Sequence, residues 1–361
     1  MTIISNSVLK QGAKYVFVCG LPRSGTSLLG RNIARMENCT GLQNTGVIED
    51  EGCFLQNVYP TEEVFGGPGR FGFDPRAHLT EASQLLTSEN IAKLRAAWHA
   101  YWDNSKTIFV EKTPANLLMT RFLQAAFPNS HFIVIMRHPV PVGMAAQKWK
   151  VNVTPLYRMF DHWLHCHSIY HQDKPYLERV YELTYENYVV DQDRYHREIA
   201  AFLGTSVPPP PQKDTFRTVV QWPNSGLIVP ERTMEVGTGA HNQNYFDHWA
   251  ELAMNSPFRH YYRYMIQKYE SEFEVHDYSL IKGMEIGSRV IFGQGTIPSF
   301  VGRGYYCVAF TAALSRRLLT RCKSLIKQQL RKILPRFVKA RMRRASHKDS
   351  SAKNPVFLRQ T

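Results

Sequence analysis

KYVFVCGLPRSGTSLLGRNIA, residues 14 to 34, decides the fold. From Tyr15 to Cys19 the residues are apolar without alternation, as in a strand covered on both faces. Gly20 and Gly25 then bracket a four-residue turn, and from Thr26 onward Leu28, Leu29 and Ile33 fall on one side of a helix. A strand, a glycine-bounded turn and a helix form the frame of a phosphate-binding loop. The N–H groups left free at the helix start, together with the helix dipole, seat an anionic group. A nucleotide-hydrolysing loop carries lysine directly after its second glycine, with Ser or Thr next to hold magnesium. Here that position is Thr26, and the cation kept inside the turn is Arg23. A nucleoside triphosphate needs strong cationic and metal compensation; a single 5′-phosphate with a less charged leaving group needs less.

Outward from this unit, TIFVE (107 to 111), HFIVIM (131 to 136) and RVYELT (179 to 184) are short apolar runs with helical stretches between them. That alternation predicts an α/β chain with a central parallel sheet between layers of helices. TIFVE runs into Lys112 and HFIVIM into Arg137, so each strand places a cation at its carboxyl end. In open parallel sheets, ligands bind outside those ends. Arg23, Lys112 and Arg137 are therefore expected to converge on one crevice suited to a ligand with two separated phosphates. VPPPPQ (207 to 212) is read as extended, because each proline disfavours helix in its predecessor, and as the edge of the sheet core. Residues 213 to 280, with FDHWAELA and FRHYYRYMIQKY, are read as helices completing the same domain, which spans 1 to 284.

The 361 residues are 43% hydrophobic, enough for a sizeable core. The formal charge of +14 suggests a nucleic-acid binder, but residues 303 to 361 hold 16 Lys and Arg against one acid, Asp349. The rest of the chain is nearly neutral, so the basic character belongs to an appendage, 285 to 361. Within it an amphipathic basic helix is expected over about 312 to 345, with a disordered tail beyond. Packing on its own domain and attachment to an anionic membrane surface are both open for that helix; it has no nucleic-acid reader motif. Cys19, Cys39, Cys53, Cys166, Cys307 and Cys322 form no CxxC pair and read as reduced thiols. The N-terminal apolar run is too short for a signal peptide core or a membrane span, and a cytoplasmic protein is expected, with peripheral membrane contact through the basic helix as one reading.

LPRSGTSLL, EKTPANLL, MRHP and ELTYENYVVDQDRYHREIAAFLG, in that order over residues 14 to 205, resemble the sulfotransferases that use 3′-phosphoadenosine 5′-phosphosulfate (PAPS), and most closely their carbohydrate and tyrosyl-protein branch. The resemblance implies a three-layer P-loop sulfotransferase fold. It also implies that Arg23, Ser24, Gly25, Thr26 and Ser27 cradle the 5′-phosphosulfate, that Arg137 binds the 3′-phosphate, and that Lys112 lies beside the transferring group. The family pattern has a serine eight residues after the strand-end arginine; here that residue is Ala145, with Ser27 or Gln147 as substitutes. Late adenine and 3′-phosphate contacts are sought in 231 to 249.

Sulfuryl transfer to a hydroxyl is an in-line displacement that must neutralise the leaving phosphate and deprotonate the acceptor, with no metal required. Arg23 and Lys112 would neutralise. In the resembling branch the base is commonly a glutamate in the segment after the P-loop helix, and TGVIEDEGCFLQ offers Glu49, Asp50 and Glu51. If that segment is extended, Glu49 and Glu51 face one way and Asp50 the other; Glu51 is favoured, then Glu49, with a solvated acidic loop as the bland alternative. His162 is a further candidate base. His162, His165 and His167 do not share one helix face, so zinc is set aside. Trp149, Trp163, Tyr157 and Tyr170 would line a sugar cleft or fill the core. Tyr185 and Glu186 would touch nucleotide or acceptor, or serve packing and capping. The expected activity is PAPS-dependent transfer to a saccharide or glycoconjugate hydroxyl. The rivals are a nucleotide phosphotransferase and a non-catalytic relic that binds nucleotide or membrane.

Overall fold

A computed structural model describes residues 12–147, 154–207, 214–221, 228–236 and 243–281. The expectations for 285–361, for Trp149 and for most of the proline run lie outside them. The chain divides into two compact units, Met1–Tyr306 and Cys307–Thr361, and every described residue belongs to the first.

In chain order the elements begin with strand β1 (Lys14–Gly20), helix α1 (Thr26–Ala34), strand β2 (Cys39–Gly41) and helix α2 (Ser88–His99). Strand β3 (Ile108–Lys112), helix α3 (Thr120–Ala126), strand β4 (Ser130–Met136), helix α4 (Pro139–Gln147) and helix α5 (Leu156–Asp173) follow. Strand β5 (Val180–Thr184) leads into helices α6 (Tyr185–Val190) and α7 (Gln192–Leu203). Strands β6 (Asp214–Gln221) and β7 (Ile228–Val236) precede helices α8 (Gln243–Met254) and α9 (Arg259–Glu274). Five strands form one parallel sheet in the order β2-β3-β1-β4-β5. The four apolar runs read as strands all belong to it.

The residues of 213 to 280 are not all helical, contrary to expectation. β6 and β7 pair antiparallel as a separate two-stranded sheet before α8 and α9 begin. β-branched and aromatic residues in DTFRTVVQ suit a strand, and the aromatic richness of the whole region masked that signal. β2 was also missed, since three residues carry no periodicity.

Side chains alternate across the sheet, and its two faces bury different chemistry. Val16, Val18, Val110, Ile133 and Ile135 form an aliphatic core with Leu29 and Ile33 of α1 and with Ile199 and Leu203 of α7. On the other face Tyr15 stacks on Phe109 and Phe17 on Phe132, with Trp98 of α2 and Phe127 covering them. Both layers of helices thus have a reason to stay in place. α7 stops where Gly204 adopts the left-handed conformation.

α1 starts from Gly25, which has φ 98°. A Cβ there would lie 2.4 Å from the Tyr185 ring. Gly25→Ala therefore meets both a forbidden backbone conformation and a clash, and a loss of about 2 kcal/mol or more is expected in urea unfolding. An unchanged midpoint would contradict this account of the turn.

Candidate functional site

Because β3 and β4 flank β1 in parallel, the chain segments that leave their carboxyl ends lie on either side of the glycine turn. Val18 is paired with Lys112 and Gly20 with Ile135. The turn, Lys112 and Arg137 therefore share one edge of the sheet, as expected for a parallel sheet that binds ligands there.

The turn is tightly wound. The Ser24 N–H donates to Leu21 O at 3.0 Å, Arg23 has φ 77° and Gly25 φ 98°, and the Leu29 N–H closes the first helical turn on Gly25 O at 3.1 Å. Left-handed residues next to a helix start turn successive N–H groups toward one concavity, an anion seat. Arg23 is exposed on the rim, whereas Ser24 is buried and its Oγ has no hydrogen-bond partner among the described residues.

Arg137 is 6% exposed. Its Nη1 donates to Arg23 O at 2.8 Å, its guanidinium lies 4.0 Å over the Tyr185 ring, and its carbonyl accepts from Trp163 Nε1 at 2.9 Å. Among the described residues it pairs with no carboxylate, and its Nε has no partner. Burial lowers its pKa, opposed by Tyr185, Glu186 and Tyr245. A buried cation without an anion is costly. Tyr185 thus packs against Gly25 and supports Arg137, and Glu186 accepts from the His138 N–H and the Tyr278 hydroxyl. Tyr245 faces Arg137 and the Phe246 ring lies 4.8 Å from that of His138, so the start of α8, within the stretch 231 to 249, stands beside the same cation.

Lys112 is 8% exposed and donates to Glu51 Oε1 at 2.9 Å and to Glu49 O at 3.1 Å. Glu49 Oε2 in turn accepts from Ser27 Oγ at 3.3 Å, tying the strand-end lysine to the turn's helix. Glu51 is extended, but Glu49 and Asp50 before it are not. Glu49 and Asp50 have φ 51° and 52° in a tight helical turn, so the two glutamates reach the edge by curvature and not by alternation. Asp50 faces away, its Oδ1 accepting from the Thr45 N–H and hydroxyl. Burial raises the Glu51 pKa, with Lys112 opposing.

Other expected site residues are placed differently. His162 Nε2 accepts from the Gly72 N–H at 3.1 Å, and the ring lies against Phe71, Phe73 and Cys166. Burial holds its pKa at about 3 and its lone pair is engaged, so the structure gives this histidine a packing role and not that of a base. Trp163 and Tyr170 are core residues at 1% and 0% exposure, not the walls of a cleft. Ala145 is buried on α4, Ser27 is turned to Glu49, and the Gln147 amide donates to Thr154 O. Among the described residues no group of His, Cys, Asp and Glu is arranged to hold a metal ion, and no helix is long and apolar enough to cross a membrane.

Sequence reasoning missed Glu62, Glu63 and Glu111. Glu62 Oε2 and Glu63 Oε1 are sealed from solvent and without hydrogen-bond partners among the described residues. Burial, then neighbouring carboxylates, push Glu62 to about 8 and Glu63 to about 7. Glu111 rises to about 7, chiefly through burial. For Glu111 a signal was present: a carboxylate set directly after three apolar residues of a buried strand.

The profile of the sulfotransferase family matches residues 16–209, and the chain belongs to that family. Among solved structures it is similar to the sulfotransferase domain from the Synechococcus PCC 7002 olefin synthase, with a TM-score of 0.36 and 16% identity over 55% of this chain and 76% of that one. It is likewise similar to a sulfotransferase from Alicyclobacillus acidocaldarius, with a TM-score of 0.37 and 16% identity over 72% of this chain and 96% of that one. No curated protein matches the chain.

These carboxyls give stability a pH dependence with a defined sign. The folded chain keeps protons on Glu62, Glu63 and Glu111 that an unfolded chain releases near 4.5. Stability therefore falls as pH rises toward about 8. His131, His162 and His167, lowered from 6.5 to about 4, 3 and 3 by burial, act oppositely, but only below about 6.5. Between pH 6.5 and 8 the urea midpoint is expected to fall, and to fall less in Glu62→Gln. Equal falls in both proteins would contradict the burial of this carboxyl.

Proposed function

We propose that this sulfotransferase moves the sulfuryl group of PAPS to a hydroxyl of an acceptor, a saccharide or glycoconjugate, in the cytoplasm. What supports the donor most is Arg137: a buried guanidinium with no carboxylate ion-paired to it among the described residues, hydrogen-bonded to the carbonyl of a lysine-free glycine turn. A ligand with one phosphate on the turn and a second beside Arg137 supplies the missing anion. The orphaned Ser24 Oγ and Arg137 Nε fit that ligand.

In this reading Arg23, Ser24, Gly25, Thr26 and Ser27 hold the 5′-phosphosulfate and Arg137 holds the 3′-phosphate. The bound donor supplies an activated sulfuryl group on a phosphate leaving group. Glu51 takes the hydroxyl proton while the acceptor oxygen bonds to sulfur and the bond from sulfur to the phosphate oxygen breaks. Lys112 and Arg23 stabilise the charge left on the phosphate. Burial strengthens Glu51 as a base, and Glu49 stands next to it as the second choice. Lys112 is engaged by Glu51 and must exchange that partner for the phosphosulfate, which leaves the Glu51 carboxylate open to the acceptor.

PAPS without metal is expected to support transfer to a panel of glycans, lipids and phenols, most strongly to glycans; transfer only with ATP and magnesium would overturn the reading. Arg137→Ala should weaken 3′-phosphoadenosine 5′-phosphate by on the order of tenfold to a hundredfold in calorimetry while barely changing adenosine 5′-phosphate. Equal losses for both nucleotides would remove Arg137 from the 3′-phosphate. Glu51→Gln should lower kcat by on the order of 10² or more with nucleotide affinity kept; retained turnover would transfer the role to Glu49.

A further inference from the structure

Glu111 immediately precedes Lys112 and is fully buried. Burial drives its pKa up to about 7 even though hydrogen bonds from Thr113 and Gly52 work against the rise, and Glu51, Lys112, Cys19, Cys53 and Tyr59 all face it. An apolar residue of similar size would fill the same space without that cost. Both its oxygens are engaged. Oε1 accepts from the Gly52 N–H at 2.9 Å and from the Thr113 hydroxyl at 2.5 Å, and Oε2 accepts from the Asn116 amide.

The next peptide group, between Gly52 and Cys53, is gripped as well. Gly52 O accepts from Trp98 Nε1 at 2.9 Å, and the Cys53 N–H donates to Thr113 Oγ1 at 3.3 Å. Space is closed around it: a Cβ on Gly52 would lie 2.7 Å from Glu111 Oε1 and 2.8 Å from Trp98 Nε1. Two consecutive residues of β3 thus hold two consecutive residues of the loop, Glu111 with Gly52 and Lys112 with Glu51.

We infer that Glu111 and Trp98 are positioning residues, which clamp the two peptide groups on either side of Gly52 and thereby hold Glu49 and Glu51 at Lys112 before any ligand arrives. They touch neither Ser27 nor Arg137; they act through the loop. The tight turn at Glu49 and Asp50, with both residues in the left-handed region, needs such an anchor, since non-glycine residues adopt that conformation at a cost. Asn116 lets the clamp tolerate an amide at position 111. Its Oδ1 is buried without a partner among the described residues and can accept from that amide once the Asn116 side chain is turned over.

The catalytic consequence rests on the sulfuryl-transfer reading, whereas the clamp itself does not, and the experiment separates the two. Full-length Glu111→Ala, Glu111→Gln and Thr113→Val are compared with wild type in amide hydrogen exchange over residues 47–56, in calorimetry with 3′-phosphoadenosine 5′-phosphate, and in turnover with PAPS. Glu111→Ala is expected to speed exchange in 47–56, to lower kcat by on the order of a hundredfold, and to leave nucleotide affinity within about twofold. Glu111→Gln restores both protection and turnover, and Thr113→Val gives an intermediate loss of each. Unchanged exchange in Glu111→Ala overturns the clamp, as does a parallel loss of kcat and nucleotide affinity, the mark of a general loss of structure. Failure of Glu111→Gln to restore protection also overturns it. If Glu111→Ala does not fold, Thr113→Val decides by the same two readouts. A wild type that transfers nothing from PAPS sinks the donor assignment, while exchange still decides the clamp.

Discussion

The parallel pairing of β1 with β3 on one side and β4 on the other is the constraint from which the candidate site follows. Parallel neighbours end at the same edge, so the turn after β1 is necessarily flanked by whatever leaves β3 and β4. Here those residues are Lys112 and Arg137. The pairing is itself held by two unlike cores, aliphatic against α1 and α7 and aromatic against α2 and Phe127, which keeps both helical layers in place. The site's geometry is therefore a product of the sheet and not of the loops alone.

Electrostatics divide that edge in two. On the β4 side Arg137 is a buried positive charge whose contacts are a carbonyl and an aromatic face, leaving it a deficit of negative charge. On the β3 side carboxyls are in excess, and several are pushed upward because burial and mutual repulsion outweigh the one lysine among them. A region short of anions beside a cluster of buried carboxyls is what the proposed donor binding and proton removal both draw on.

Much of the fold was legible before any coordinates. KYVFVC, TIFVE, HFIVIM and RVYELT are strands because buried parallel strands read as unbroken apolar runs, and α1 begins at Thr26 because Gly25 ends the turn. β6 and β7 escaped notice because their alternation was diluted by aromatic neighbours, and β2 because it is three residues long. Glu49 and Glu51 were chosen over Asp50 on an extended-chain argument, and the choice matches the contacts for another reason: a left-handed turn that only tertiary anchoring can hold. His162 misled because a histidine's type is visible in sequence while the partner that occupies its lone pair is not.

The sequence by itself determined the order of strand, glycine turn and helix, and the type of residue at each strand end, since hydrophobic period and backbone freedom are local properties. Only the tertiary structure decided which of those residues meet. The ion pair of Lys112 with Glu51, the seat of Arg137 on Tyr185, and the grip of Glu111 and Trp98 on Gly52 join positions 46 to 61 residues apart in the chain. Such contacts form when buried polar groups find partners in a closed core, and no local pattern records which partner each will find.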